Sequence, residues 1–186
     1  MQRTRRGHGA ASPLISGLDR RMTHCLVRVA IADDAPAAVA VLRASIMQLC
    51  VEDHRNDQPT LERWLRNKTT EHFRQWVADP QKLVVVAEVT SVLCGVGAIR
   101  TTGDLDLCYV QPGRQRSGVG RAILHACEAQ ARAWGLTKLA LISTATARSF
   151  YERHGYLFVG EASVHGYGVL RDYYYVKSLA AAEGAV

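Results

Sequence analysis

Apolar runs long enough to cross a membrane are missing from this 186-residue chain. The longest apolar stretch near its middle is LVVVA at residues 83–87, whereas a membrane-spanning helix needs about 20 apolar residues. The sequence also lacks an HExxH motif, an EF-hand loop and any paired cysteine or histidine spacing, so we expect no metal. Its five cysteines are odd in number and contain no CxxC pair, which is typical of the reducing cytoplasm. These absences predict a soluble cytoplasmic protein with no membrane partner.

Positive charge is concentrated at the start of the chain. Residues 1–21 contain five arginines and one aspartate, so of the net charge of +6 only +2 falls on residues 22–186. Because a nucleic-acid-binding domain carries its basic patch on the folded part, we expect no nucleic-acid partner. The Gly, Ser, Ala and Pro content of residues 1–21 predicts a disordered basic leader or an upstream extension, with Met22 as an alternative start. Residues 22–186 have the length of a single domain.

The first half of the chain shows one strand followed by helices. Residues 25–31 contain the apolar–polar alternation of a strand. Asp34 then favours the start of a helix as its cap, and apolar residues at helical spacing continue that helix over 37–50. A polar loop over 51–60 precedes one or two helices between residues 61 and 78.

Strands dominate the second half, and they predict an α/β fold with a mixed sheet. Three β-rich segments favour an antiparallel meander, and a later strand–helix–strand crossover makes its two strands parallel. The predicted elements are three meander strands (82–89, 91–101, 104–110), a helix (120–134), a strand (138–143), a helix (145–154) and two tail strands (157–164, 172–177). The tail strands could pair across a homodimer.

The loop between the last meander strand and the next helix combines small and basic residues. It contains two glycines and three arginines: Gly118, Gly120, Arg114, Arg116 and Arg121. The first N–H groups of a helix have no partner within it, the helix dipole is positive there, and glycine lets a ligand approach the backbone. The loop therefore predicts a pocket for a phosphate or pyrophosphate, with an ordinary helix start after a tight turn as the alternative.

Two common phosphate-binding motifs do not fit this loop. A dinucleotide fingerprint GxGxxG requires glycine at position 123, where the chain has Ile123. A P-loop GxxxxGK[ST] begins with Gly113 and Gly118, but Val119 replaces its lysine and Gly120 its serine or threonine. Hydrolysis of ATP or GTP therefore lacks its usual residues.

The loop resembles the [RQ]xxGxG element of the GNAT superfamily of N-acetyltransferases, through Gln115, Gly118 and Gly120. LDLCYVQP, just before it, is similar to the fourth strand of that family. TATARSFYERHGY at residues 144–156 is similar to the family's NxxAxxxYxxxGF segment, with Thr144 in the place of the asparagine. Together these segments cover about residues 104–160.

This resemblance implies a cleft between two splayed parallel strands, with helices on both faces of the sheet. It implies acetyl-CoA as the acyl donor and transfer of its acetyl group to a primary amine of a small molecule or protein, by direct attack in a ternary complex. The alternative is a non-catalytic acyl-CoA-binding or sensing module of the same fold. The implied cofactor-binding residues are Tyr109, Val110, Gln115, Arg116, Ser117, Gly118, Val119, Gly120, Arg121 and Thr144.

The resemblance also assigns the departing thiolate a proton donor, Tyr151. A phenol has an ordinary pKa of about 10, so it is protonated at neutral pH and can protonate a thiolate. The alternative for Tyr151 is a core aromatic beside Phe150. A backbone N–H of Tyr109 or Val110 is the implied donor to the oxyanion.

The general base stays open between several groups. Asp104 and Asp106 lie two residues apart on one face of the predicted strand, near the position of a glutamate base in some GNAT members. Alternatively, both are solvated there or in a turn. A water chain and three residues of the polar loop are further candidates: Glu52, Asp53 and His54. These three and Asp57 could also bind a metal, but we interpret them as an exposed loop with a helix cap.

Overall fold

The computed structural model describes residues 25–162 and 172–179, which form two β-sheets and six α-helices. The strands are β1 (Cys25–Val29), β2 (Lys82–Val89), β3 (Val92–Arg100), β4 (Leu105–Val110), β5 (Lys138–Ser143), β6 (Leu157–Ala162) and β7 (Asp172–Ser178). The helices are α1 (Ala35–Leu49), α2 (Val51–His54), α3 (Gln58–Leu65), α4 (Thr70–Ala78), α5 (Val119–Ala133) and α6 (Arg148–Arg153). None of the helices in these ranges has the length and apolar character that a membrane crossing requires.

The first sheet is the predicted antiparallel meander, extended by β1 to the order β1-β2-β3-β4. The second sheet has the order β5-β7-β6 and is also antiparallel. The strand–helix–strand unit β4-α5-β5 joins the two sheets, and its strands are parallel at the one bridge between Asp104 and Ala140. The predicted mixed α/β fold with one parallel unit is therefore confirmed.

Helices pack on both faces of the first sheet. On one face, α5 contributes Ile123, Leu124 and Cys127 to the larger core. β3 has glycines there because a Cβ at Gly95 would lie 2.6 Å from the Ile123 Cδ1 atom. The opposite face packs against α1 and α4, and a smaller cluster of Ile46, Cys50 and Trp64 joins α1 to α3. Residues from both faces of this sheet line the cleft described in the next section.

The N-terminal helical region differs most from the sequence-based prediction. The predicted polar loop over 51–60 contains α2 and the start of α3, whose cap is Asp57, accepting from the Thr60 N–H at 2.9 Å. Asp34 precedes α1 as predicted, but its carboxylate does not cap that helix. It accepts instead from the Ile31 N–H and from the guanidinium of Arg28. The Asp34 carboxylate therefore forms an ion pair with Arg28 on β1 instead of a capping hydrogen bond to an N–H of α1.

Some predictions fall outside the described residues. They include the leader at 1–21 and the last residues of the predicted strand 157–164. β6 lies at the edge of the second sheet in the described part of the chain, with Leu157, Phe158 and Val159 exposed. Pairing of the tail strands in a homodimer therefore stays a prediction.

Candidate functional site

A cleft opens where β4 and β5 separate. The Ala140 N–H donates to the Gly103 carbonyl at 2.9 Å, beside the one bridge between the strands. Beyond that point β4 pairs with β3, and β5 pairs with β7. The parting leaves a cleft of about 890 Å³ between the two strands. Backbone groups on the facing edges of β4 and β5 are therefore available to a ligand.

At one end of the cleft, the chain turns into α5 through a backbone conformation that glycine favours. Gly118 has a φ of +88°, and a Cβ at this position would have no heavy atom within 4 Å. The first bond of the turn runs from the Ala122 N–H to the Gly118 carbonyl. No acceptor in the described part of the chain is bonded to the N–H groups of Val119, Gly120 or Arg121. These N–H groups lie at the positive end of a 15-residue helix, an arrangement that suits an anion.

The side chains around this helix start are arranged to leave the amides open. Gln115 turns back, and its Oε1 accepts from the Gly113 N–H at 2.8 Å. Ser117 donates its hydroxyl to the Arg114 carbonyl at 2.5 Å. Val119 is buried in the core and, unlike Gly118 and Gly120, is not among the residues that line the cleft. α5 and α6 pack closely at Gly120, where a Cβ would lie in van der Waals contact with the Phe150 ring at 3.4 Å.

Charge on the cleft walls is strongly one-sided. The basic side chains on the walls are Arg114, Arg116, Arg121, Arg153 and His154. In the described part of the chain, Asp106 is the one acidic residue that lines the cleft. Arg116 and Arg121 flank the free amides in sequence and line the cleft, so this end of the cleft suits a ligand with several negative charges.

Tyr151, from α6, lies deep in the cleft wall and is 7% exposed. Its ring makes edge contacts with Phe150 and Tyr156 at centroid distances of 5.1 and 5.6 Å. Burial, and then the neighbouring Cys108 thiol, raise the pKa of Tyr151 well above its usual value. The phenol is therefore protonated at neutral pH.

Cys108, on β4, lines the cleft beside Tyr151. Burial raises the pKa of its thiol to about 12, although a hydrogen bond with the Tyr151 side chain acts in the opposite direction. The thiol also points at the Gly120 carbonyl, with 3.9 Å between Sγ and the oxygen. At neutral pH Cys108 is a thiol, and a thiol is a poor nucleophile.

The backbone of β4 distinguishes the two predicted oxyanion donors. The Gln111 N–H donates to the Cys94 carbonyl of β3. Since N–H groups alternate in direction along a strand, the N–H of Tyr109 also points at β3, whereas that of Val110 points into the cleft. Both side chains line the cleft, from opposite faces of the sheet.

The two aspartates near β4 lie in different surroundings. Asp104 is exposed, accepts from the Thr102 hydroxyl at 2.6 Å and is not among the cleft-lining residues. Asp106 lines the cleft where the pairing of β4 with β3 is irregular. Its Oδ2 atom forms ion pairs with the Lys82 ammonium at 2.6 Å and the Arg100 guanidinium at 2.8 Å. Two cations therefore contact the same carboxylate oxygen of Asp106.

The opposite side of the cleft comes from the end of α1 and the turn after β5. Ser45, Leu49 and Cys50 line it, together with Thr144 and Thr146. Cys50 belongs to the α1–α3 cluster, against which Tyr109 also packs, whereas Tyr151 belongs to the α5 core. The cleft therefore reaches both faces of the sheet.

Sequence reasoning missed the role of the residues on α2. Asp53 and His54 were expected in an exposed loop, but they are 6% and 1% exposed. The Asp53 carboxylate accepts from the Ala145 N–H at 2.6 Å and the Thr146 hydroxyl at 2.5 Å. The expectation of an exposed loop was wrong because these partners lie more than 90 residues away. The residues of the described ranges include no group that could hold a metal ion.

Comparisons with known proteins identify the family and the fold. The acetyltransferase (GNAT) domain family matches residues 50–170. No curated protein matches the chain.

Solved structures share the fold at low sequence identity. A GCN5-related N-acetyltransferase from Rhodopseudomonas palustris is 24% identical, with a TM-score of 0.75 over 92% of this chain and 99% of that chain. The PaiA N-acetyltransferase from Thermoplasma acidophilum, in complex with coenzyme A, is 18% identical, with a TM-score of 0.70 over 83% and 99%. YncA from Salmonella typhimurium, with its cofactor acetyl-CoA, is also 18% identical, with a TM-score of 0.64 over 88% and 99%. With the domain match over more than half of its length, the chain belongs to the GNAT family of acetyltransferases.

Proposed function

We propose that this protein transfers the acetyl group of acetyl-CoA to a primary amine of a small molecule or protein. The observation that carries the proposal is one continuous cleft with unbonded amides and cations at one end and the protonated Tyr151 in its wall. The open space beside Gly118 fits a diphosphate, because any side chain at that position would enter the space. The N–H groups of Gly120 and Arg121, with the surrounding arginines, would hold this diphosphate.

The reaction needs no covalent enzyme intermediate. The amine nitrogen attacks the thioester carbonyl carbon, the carbon–sulfur bond breaks, and the departing thiolate takes a proton from Tyr151. The Val110 N–H is oriented to donate to the carbonyl oxygen as it gains charge. Cys108 is unsuited to carry the acetyl group because burial holds its pKa at about 12. This supports direct attack in a ternary complex.

The amine must lose a proton before or during the attack. Asp106 has two cations on its carboxylate and Asp104 lies outside the cleft walls. We therefore propose that water in the cleft accepts this proton and that neither aspartate is a dedicated base.

Thiol release tests the proposal. Purified protein is incubated with acetyl-CoA and a panel of primary amines: a polyamine, an aminoglycoside, an amino-acid ester and a peptide with a free N-terminus. We expect amine-dependent release of free coenzyme A, with the acetylated amine identified by mass spectrometry. Binding of acetyl-CoA without turnover of any amine would favour the non-catalytic acyl-CoA-binding module instead, and absence of binding would exclude both.

A further inference from the structure

Asp53 joins α2 to the turn after β5, within the cleft wall opposite the donor end, and the transfer reaction does not itself require this connection. Its carboxylate is 6% exposed, and both of its hydrogen-bond donors, the Ala145 N–H and the Thr146 hydroxyl, are neutral. A buried carboxylate is costly unless its oxygens are well bonded, so short bonds at 2.6 and 2.5 Å hold these groups firmly together. The bonds span 92 and 93 positions of sequence.

The turn held by Asp53 leads directly into the helix that carries Tyr151. The Ala147 N–H donates to the Thr144 carbonyl, and the Tyr151 N–H donates to the Ala147 carbonyl, both at 3.2 Å. α6 has only six residues, and its N-cap residue, Ala147, has no side chain that could accept from the first N–H groups of the helix, while the Ala147 N–H itself also contacts the Thr144 hydroxyl at 3.3 Å. Because so short a helix has little stability of its own, its position depends on what holds the turn before it.

α2, which supplies Asp53, is itself firmly packed. The His54 ring is buried edge-on to Trp64 at a centroid distance of 6.5 Å, and its Nδ1 atom accepts from the Asn56 N–H at 3.0 Å. The neighbouring Cys50 lines the cleft, and burial together with the Asp53 charge raises the pKa of its thiol to about 12. Asp53 therefore belongs to a well-packed helix next to the end of α1, which lines the cleft.

We propose that Asp53 is a positioning residue, which holds the start of α6 against the α1–α2 wall and thereby fixes the Tyr151 hydroxyl in the cleft. Its functional consequence rests on the proposed function, because only there does the Tyr151 hydroxyl have a reacting partner. Its structural part, the fastening of residues 144–154, stands independently of the reaction.

The structural part is tested by hydrogen exchange and by alkylation of Cys108, which lies beside Tyr151. In Asp53→Ala we expect amide exchange over residues 144–154 and iodoacetamide labelling of Cys108 to rise about tenfold. Calorimetric affinity for coenzyme A should stay within about twofold. Asp53→Asn should behave as wild type, since its amide can accept from the Ala145 N–H and donate to the Thr146 hydroxyl oxygen. Glu128→Ala is the control, because Glu128 is an equally buried acid, 4% exposed, whose partner Lys177 lies on β7.

The functional part of the proposal predicts that loss of Asp53 lowers kcat and leaves KM nearly unchanged. For an amine turned over by the wild type, Asp53→Ala should lower kcat about 10- to 100-fold and leave the KM for acetyl-CoA within about twofold, with recovery in Asp53→Asn. Unchanged exchange and labelling in Asp53→Ala would overturn the proposal, as would an Asp53→Asn variant as impaired as Asp53→Ala. If Asp53→Ala does not fold, Thr146→Val replaces it, with the same local rise in exchange expected. If the wild type turns over no amine, the proposed function fails while exchange and labelling still decide the role of Asp53.

Discussion

The two walls of the cleft are built in different ways. The donor end is made of local features: a glycine with positive φ, the amides of one helix start and arginines within eight residues of each other. The opposite wall is made of long-range contacts, above all the bonds from Asp53 to a turn more than 90 residues away. We therefore expect a substitution at the donor end to affect only the contact of that residue. A substitution in the opposite wall should disturb several residues that pack together.

The largest expected effect is at the centre, where the two walls meet. Replacing Tyr151 by phenylalanine keeps the ring contacts with Phe150 and Tyr156 but removes the proton donor. We expect kcat to fall about 100-fold in the thiol-release assay, with affinity for acetyl-CoA within about twofold. Because the pKa of Tyr151 is raised, wild-type activity should show no loss through ionisation of this phenol up to about pH 10. The matched control, Tyr174→Phe on β7, should leave kcat unchanged, and an equal loss there would remove the special role of Tyr151.

A second prediction separates backbone strain from ligand contact at the donor end. Gly118 and Gly113 both have positive φ, at 88° and 84°, and both have open space where a Cβ would point. Alanine at either position raises the conformational free energy of the backbone by a similar amount, about 1 kcal/mol. Only Gly118 lines the cleft, so Gly118→Ala should weaken acetyl-CoA binding about tenfold by calorimetry while Gly113→Ala changes it less than threefold. Equal effects would mean that strain alone explains the loss.

A third prediction concerns the cations around the same amides. Arg121→Gln should weaken acetyl-CoA binding about three- to fivefold at low salt, because one charged partner of the phosphates is lost. The difference should shrink as salt is raised, since exposed charges are screened. Arg132→Gln is the control on the same helix, because that side chain does not line the cleft. If both variants bind equally well at low salt, the arginine cluster does not contribute.

The sequence predicts some features of the fold and the site and not others. The meander, the parallel unit and the helix start at Gly118 were predictable because alternation, helical spacing and turn residues are local signals. The burial of Asp53 and His54 was not, because a run of polar residues predicts a loop unless the distant partner of each side chain is known. Similarly, the spacing of Asp104 and Asp106 placed both on one strand face. It could not show that Lys82 and Arg100 occupy the carboxylate of the second.

The smallest expected effect is at these two aspartates. Asp104→Asn should leave kcat and its pH profile unchanged, because the side chain lies outside the cleft. Asp106→Asn should change kcat less than about threefold, since its carboxylate is already engaged by two cations. A drop of about 100-fold in Asp106→Asn, with loss of the basic limb of the pH profile, would identify Asp106 as the general base.

The central claim is that the unbonded amides before α5 hold the diphosphate of acetyl-CoA. Amide NMR on 15N-labelled protein tests it directly, by titration with acetyl-CoA and assignment of the signals that move. We predict the largest shifts for Gly118, Val119, Gly120 and Arg121, with smaller shifts along β4 up to Val110. Saturable binding that leaves these four amides unshifted, or no binding at about 1 mM acetyl-CoA, would contradict the account.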